Sequence, residues 1–365
     1  MIKVKNIFNI INSEMPFRTS ESWDNTGLLV GDMEQEIQKV LISLEFTQDV
    51  LNEAIEKNID LIITHHPVIF GKITRFTRQS NLLLFEAMKN NISIICAHTN
   101  ADKRFYKDFF PDVLRSYVKR LDLFDAVDAE KLYKIVVFVP EKDTENVRKA
   151  MFDKGAGHIG EYSKCSFNVS GIGTFTPQEG TDPHIGEIGK DEEVKEIRVE
   201  TICKETNLNS VIDQMIKEHP YEEVAYDVYE LKRKGDKSGF GVLTSLKEEM
   251  SLLEIAKLLK NDYPMIKISG NKDKKIKKLV YCNGSGASML RKATRIKADL
   301  FISGDLKYHD AQESLKDGLC LIDIGHYGTE KVFMNLMYDF LNSKETLDKI
   351  DLKISDKMGP VYWSV

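Results

Sequence analysis

Residues 61–67 read LIITHHP, a short apolar and β-branched run that breaks into two histidines and a proline. A run of this kind, bounded by turn signals, is a buried strand. Pro67 marks its exit, because a proline holds the preceding residue extended and has no N–H to give to a ladder. The same grammar extends outward in both directions. LLV at 28–30 and KVLISLEF at 39–46 read as strands, and Thr47 caps a helix over TQDVLNEAIEKN with Val50, Leu51 and Ala54 on one face. Downstream follow the helix NLLLFEAMKN and the strand ISIICAHTN at 92–100. After residue 240 the pattern returns as an amphipathic helix around SLLEIAKLL, strands at 278–286, 298–305 and 319–326, and a helix EKVFMNLMYDFL. Short strands alternating with amphipathic helices predict an α/β layer fold.

The middle of the chain has a different order. From 133 to about 230 it reads strand YKIVVFVP, helix TENVRKAMFDKG, strands CSFNVSGIGTF and EVKEIRVETIC, helix LNSVIDQMIKEHP and strand EEVAYDVYEL. This βαββαβ order is the split βαβ or ferredoxin-like unit, which closes its own core. DAEK at 128–131 and LKRKGDKSGFG at 231–241 read as linkers. The expected organisation is a discontinuous outer α/β domain, 1–129 with 236–365, interrupted by a ferredoxin-like α+β domain at 130–235. Three sequential domains are the alternative, since segments of this length fold alone.

The 365 residues lean towards two domains. With 42% hydrophobic and 30% charged residues the chain is of the soluble globular class. Its 51 basic and 57 acidic residues leave a net charge of −6, which gives no support for nucleic acid or anionic lipid binding through a broad basic surface. Cys96, Cys165, Cys203, Cys282 and Cys320 are odd in number and form no CxxC pair, so a reducing compartment is expected, without a disulfide framework or thiolate zinc site. The opening MIKVKNIFNIINSEMPF is interrupted by lysines and asparagines, unlike a signal peptide, and no stretch reaches the roughly 18 apolar residues of a membrane span. A cytoplasmic protein is expected.

The chemistry gathers where the strands end. LIIT runs into His65 and His66; SIICA into His98, Thr99, Asn100 and Asp102; LVYC into Asn283 and the GSG at 284–286; LFIS into Gly304 and Asp305; LIDI into Gly325, His326 and Glu330. Open α/β sheets bind ligands outside the carboxyl ends of their strands, so these tips predict one site. Adjacent His65 and His66 point to opposite faces in a continuing strand but diverge slightly where the chain leaves the sheet; alone, such a pair is also an ordinary structural one. His326 and Glu330, four apart, share one helix face if a helix begins near Tyr327, with the glutamate near the positive end of the helix dipole. The bland alternative is a strand-end histidine and a first-turn acid. Together His65, His66, Asp102, His326 and Glu330 make an N/O donor set suited to zinc, iron or manganese. Five donors exceed the needs of one tetrahedral ion, and a two-ion site with a bridging carboxylate fits best.

SWDNTGLLVG (22–31), ITHHP (63–67), AHTNAD (97–102), SGDLKYHDAQE (303–313) and DIGHYGTE (323–330) resemble the signature blocks of the Nif-three-like dinuclear metal-centre family, the GTP cyclohydrolase I type 2 homologues. The resemblance spans both outer segments in order. It implies two divalent ions held by His65, His66, Asp102, His326 and Glu330, with Glu330 bridging, and a toroidal homohexamer whose sites face an internal cavity. Longer bacterial members carry an insert similar to PII and CutA proteins, which residues 130–235 resemble. Tyr308, before His309, departs from the second histidine that many relatives show.

Other motifs carry less. GAGHIG at 155–160 satisfies G-x-G-x-x-G but follows a helix and precedes a strand, so it reads as a helix-ending turn. GSGAS at 284–288 is a possible anion loop or simply a tight turn. His98 and His309 stand beside proposed ligands as orienting or proton-carrying groups, or as structural histidines. His158, His184 and His219 read as structural, and Asp24 and Asn25 as turn residues that the resemblance places near the cavity. The expected function is that of a metal-dependent hydrolase acting on a small molecule, with purine-ring hydrolysis of GTP implied by the resemblance. A non-catalytic sensor or regulator responding to metal or nucleotide is the alternative, and metal storage or trafficking a third.

Overall fold

The computed structural model describes residues 1–362. The chain forms two compact units, Met1–Val127 with Ser238–Val365, and Asp128–Lys237. The first unit opens with α1 (Val4–Glu14), β1 (Gly27–Val30), β2 (Lys39–Ser43), α2 (Gln48–Glu56), β3 (Leu61–Thr64), α3 (Leu82–Lys89), β4 (Ser93–Cys96), α4 (Thr99–Phe105) and α5 (Asp112–Arg115). Thr47 caps α2, its side chain accepting from the Val50 amide. Strands β2, β3 and β4 run parallel. Ile42, Ile63 and Ile95 face one core cluster and Leu41, Ile62 and Ile94 another. Burial on both faces is why these strands are apolar throughout and do not alternate.

The second unit contains most of β5 (Asp122–Pro140), then α6 (Thr144–Asp153), β6 (Ser166–Phe175), β7 (Glu192–Lys204), α7 (Leu208–Glu218) and the first part of β8 (Tyr226–Ser251). The strand order is β6-β7-β5-β8, with β7 antiparallel to β5 and to β6. Ile135, Val137, Val139 and Val199 pack one face of this sheet on Val147 and Met151 of α6 and on Val211 and Met215 of α7. The stretches expected as linkers are extended strand. Gly239 lies on the Asp125 carbonyl and Gly235 against Leu132 and Glu130, so these glycines serve close backbone approach and do not mark a loop. GAGHIG follows α6 as a turn, as expected.

The first unit resumes with α8 (Leu252–Lys260), β9 (Lys267–Ser269), β10 (Lys275–Ser285), α9 (Leu290–Arg295), β11 (Leu300–Gly304), α10 (Tyr308–Lys316), β12 (Cys320–Asp323), α11 (His326–Glu330), α12 (Phe333–Asn342) and β13 (Asp351–Ile354). Its two sheets have the orders β1-β4-β3-β2-β13 and β8-β10-β11-β12-β9. One core joins them, with Ile42, Ile63 and Ile95 packed with Leu279, Leu300, Ile302, Ile322 and Phe333. β13 brings the end of the chain back beside β2, in parallel, and the Ser355 hydroxyl just beyond it donates to buried Glu53. The helix expected over EKVFMNLMYDFL is α12, which starts at Phe333, and His326 and Glu330 lie on a separate short helix ahead of it. α11 starts at His326, one residue before Tyr327, because Gly325 turns the chain at φ 78° where β12 ends. Among the described residues no helix is long and apolar enough to cross a membrane.

Gly304 ends β11 directly against the backbone of His326: a methyl group there meets the His326 nitrogen at 2.7 Å. Gly304→Ala is therefore expected to destabilise the fold by about 1–3 kcal/mol. Gly359→Ala, at a position with open space around it, is expected to stay within ~0.5 kcal/mol of the parent. Chemical denaturation of the two variants checks this, and equal midpoints contradict it.

Candidate metal centre

The site lies where β3, β4, β11 and β12 end, within the first unit. His65 and His66 follow β3, and both of their amides hydrogen-bond to the Leu44 carbonyl, at 3.2 and 2.9 Å. The chain therefore stops behaving as a strand at Thr64, and the two rings come to 5.1 Å, inclined at 69°, in place of pointing to opposite faces. Asp102 lies on the first turn of α4, after His98. His326 and Glu330 share the single short helix α11, and the Thr329 hydroxyl bonds back to the His326 carbonyl.

Three donor atoms from opposite ends of the sequence converge. His66 Nε2 and His326 Nε2 stand 2.9 and 3.0 Å from Glu330 Oε2 and 3.3 Å from each other. Glu330 is 3% exposed, and its Oε2 is buried with no geometrically satisfied hydrogen bond although both imidazole nitrogens approach it. His65 is fully buried; its Nδ1, 3.9 Å from Glu330 Oε2, is likewise without a partner. Its Nε2 lies 3.0 Å from Asp102 Oδ1, which also accepts from the Asn283 amide at 2.6 Å. A second convergence joins His65, His66 and His98, with donor atoms within 4.8 Å of one another. Of the five residues singled out in the sequence, His66, His326 and Glu330 thus meet directly, His65 stands beside them, and Asp102 reaches them through His65.

The surroundings set the charge. Burial works to raise the Glu330 carboxyl, but His65, His326 and His66 outweigh it and hold the group far below the usual carboxylate range. Burial likewise opposes protonation of His66, yet Glu330 and Glu45 push it up to about 10. Glu330, against a smaller burial cost and with help from Asp305, raises His326 to about 9. Imidazolium protons therefore stand in for positive charge around the carboxylate. Two buried polar atoms aimed at one space, in an N/O donor set without thiolates, fit divalent first-row ions.

Several supporting residues were not marked as such by local sequence. Asp24, read first as a turn residue, keeps its side chain out of solvent, and against that burial cost His98 Nδ1 at 2.9 Å and the Thr99 amide at 3.1 Å lower its pKa. Glu45 reaches His66 Nδ1 at 3.3 Å, and Asp305 reaches His326 Nδ1 at 2.7 Å. Asn283 and Asp305 were legible as polar strand tips, whereas nothing near Asp24 or Glu45 announces a histidine partner. The GSG loop is not an anion cradle. Its Gly284 and Gly286 amides bond inward to Thr329 Oγ1 and Ser303 Oγ, and Gly284 leaves room for Glu330, where any side chain would collide. His309 is exposed on α10 and outside both clusters.

The family model for Duf34/NIF3 (NGG1p interacting factor 3) matches residues 2–358. A GTP cyclohydrolase 1 type 2 homolog of Halalkalibacterium halodurans is 38% identical over 356 residues, covering 93% of each chain. One from Bacillus subtilis is 38% identical over 315 residues, covering 85% of this chain and 84% of its own. Among solved structures, a Bacillus cereus protein related to NIF3 superposes with a TM-score of 0.88 at 33% identity, over 100% of this chain and 99% of its own. The match runs through both halves that build the histidine and glutamate cluster, and the chain belongs to the Duf34/NIF3 family.

Proposed function

We propose that the centre is dinuclear, with His65, His66, Asp102, His326 and Glu330 holding two divalent ions, zinc first and iron or manganese next, and that the protein is a hydrolase of a nucleotide or phosphoester. The observation that carries this reading is Glu330 Oε2, buried, unpartnered and approached by imidazole nitrogens from both ends of the chain. Such ions supply Lewis acidity to a substrate and acidify water towards neutrality. The chain's own residues do the positioning. Glu45 and Asp305 occupy Nδ1 of His66 and His326, leaving each Nε2 as the free donor. Asp24 occupies Nδ1 of His98 in the same way, so the other nitrogen of His98 is available to carry a proton beside His65 and His66. The relatives' name makes GTP the first substrate to try.

The regulatory reading draws support from the inserted unit, whose β6-β7-β5-β8 order agrees with a PII/CutA-like domain. It predicts binding of a nucleotide without product, lost when residues 130–235 are removed. The homohexamer belongs to the same proposal, and light scattering should give six times 41.7 kDa.

Zinc-loaded protein is expected to turn over at least one member of a panel of nucleotides and phosphoesters. A His65→Ala, Glu330→Ala double variant should lower the rate at least ~100-fold; equal rates contradict the hydrolase reading. Asp305→Asn should weaken metal affinity about 10–100-fold in a competition titration, with the fold intact. The pH dependence has opposite signs for the two forms. His66 and His326, raised from 6.5, stabilise the metal-free protein fully below pH 6.5, and that contribution fades as pH rises towards 9 and 10. Glu330, lowered from 4.5, contributes above that pH and less as pH falls further. The site's contribution to metal-free stability is therefore greatest between about pH 4.5 and 6.5. Metal binding must displace the imidazole protons, so affinity is expected to rise from pH 6 to pH 8 with proton release measurable by calorimetry.

A further inference from the structure

The inserted unit holds a cavity of about 600 Å³, within the usual size of small-ligand pockets. It lies on the sheet face opposite α6 and α7. Along β7, Val199 and Ile197 point to the helices, so Glu196 and Arg198 point the other way. Gly171 and Gly173 of β6 leave the floor bare, and Glu196 stands over Gly173 where any side chain would collide with it. Phe138, Phe175 and Tyr221 form aromatic walls, the last two edge to face at 5.9 Å.

Glu196 is the unusual member. It is only 8% exposed, and its one hydrogen bond comes from the Tyr221 hydroxyl at 2.9 Å. Buried carboxylates are ordinarily matched by a cation. Among the described residues none is within ion-pair distance of this one. Arg198 shares the face but is paired with Glu200 at 3.0 Å. His219 is committed elsewhere: its Nε2 meets the Phe138 carbonyl at 3.0 Å, its Nδ1 accepts from the Tyr221 amide at 3.1 Å, and burial lowers its pKa. His184 sits beside Lys142, at 3.3 Å. Glu222 and Glu223 add negative charge to the lining. An uncompensated carboxylate among aromatic rings selects positive charge twice, by ion pairing and by cation–π attraction.

We propose that this cavity binds a small organic cation with a flat apolar body, its charged end on Glu196 and its body against Phe138, Phe175 and Tyr221. Benzamidinium, benzamide and benzoate, which share a ring and differ in charge, test this by calorimetry on the full-length protein. Benzamidinium should bind at least tenfold more tightly than benzamide, and benzoate should not bind. Glu196→Gln should weaken benzamidinium about tenfold or more. Gly171→Leu, at a strand position with open space around it, should abolish binding by filling the cavity while leaving the melting temperature unchanged, which keeps the test decisive if Glu196→Gln fails to fold. Equal affinity for the three compounds, no benzamidinium binding at millimolar concentration, or binding unaffected in both variants overturns the proposal. So does self-association by light scattering that Gly171→Leu reverses, which would assign this face to a second copy of the chain. None of these readouts depends on the metal centre.

Discussion

A carboxylate buried to 97% must find positive charge or give up its own. Glu330 is that group, and the architecture around it is arranged to meet it. Its carrier α11 is only five residues long and sits on a glycine turn at the end of β12. The chain brings His65 and His66 from the other end of the sequence to within a few ångströms. One core shared by the two sheets of the first unit keeps those distances fixed. Without the packing of Ile63 and Ile95 on Ile302 and Ile322, the histidines and the glutamate would belong to separate segments with no reason to meet.

The donors are held from behind as well as assembled from the front. Asp24, Glu45 and Asp305 each occupy the Nδ1 of one imidazole, and Asn283 fixes Asp102. An imidazole gripped at one nitrogen presents the other in a single tautomer and direction. The glycine loop after β10 contributes by what it lacks, making room for Glu330 and spending its amides on Thr329 and Ser303. A loop that looks suited to phosphate in the sequence is thus a support for the carboxylate.

Much of this was legible because buried parallel strands write themselves as uninterrupted apolar runs. LIIT, SIIC and CLID stand out, and the polar residues immediately after them fall on one rim. The helix cap at Thr47 is an equally local signal. What stayed hidden depends on long-range pairing. β13 is four residues, DLKI, half polar, and becomes a strand only because β2 lies beside it. The charged, glycine-containing stretch at 231–241 resembles a linker in composition, and only its neighbouring strand makes it extended. Asp24 lies 74 residues from His98 and reads as a turn until the fold closes over it.

The central proposal is that two ions share Glu330. Anomalous diffraction from zinc-loaded crystals, collected above and below the zinc edge, tests it most directly. The proposal predicts two peaks per chain, about 3.5–4 Å apart, among His65, His66, Asp102 and His326, with the Glu330 carboxylate touching both. A single peak, or two peaks of which Glu330 contacts only one, would contradict it.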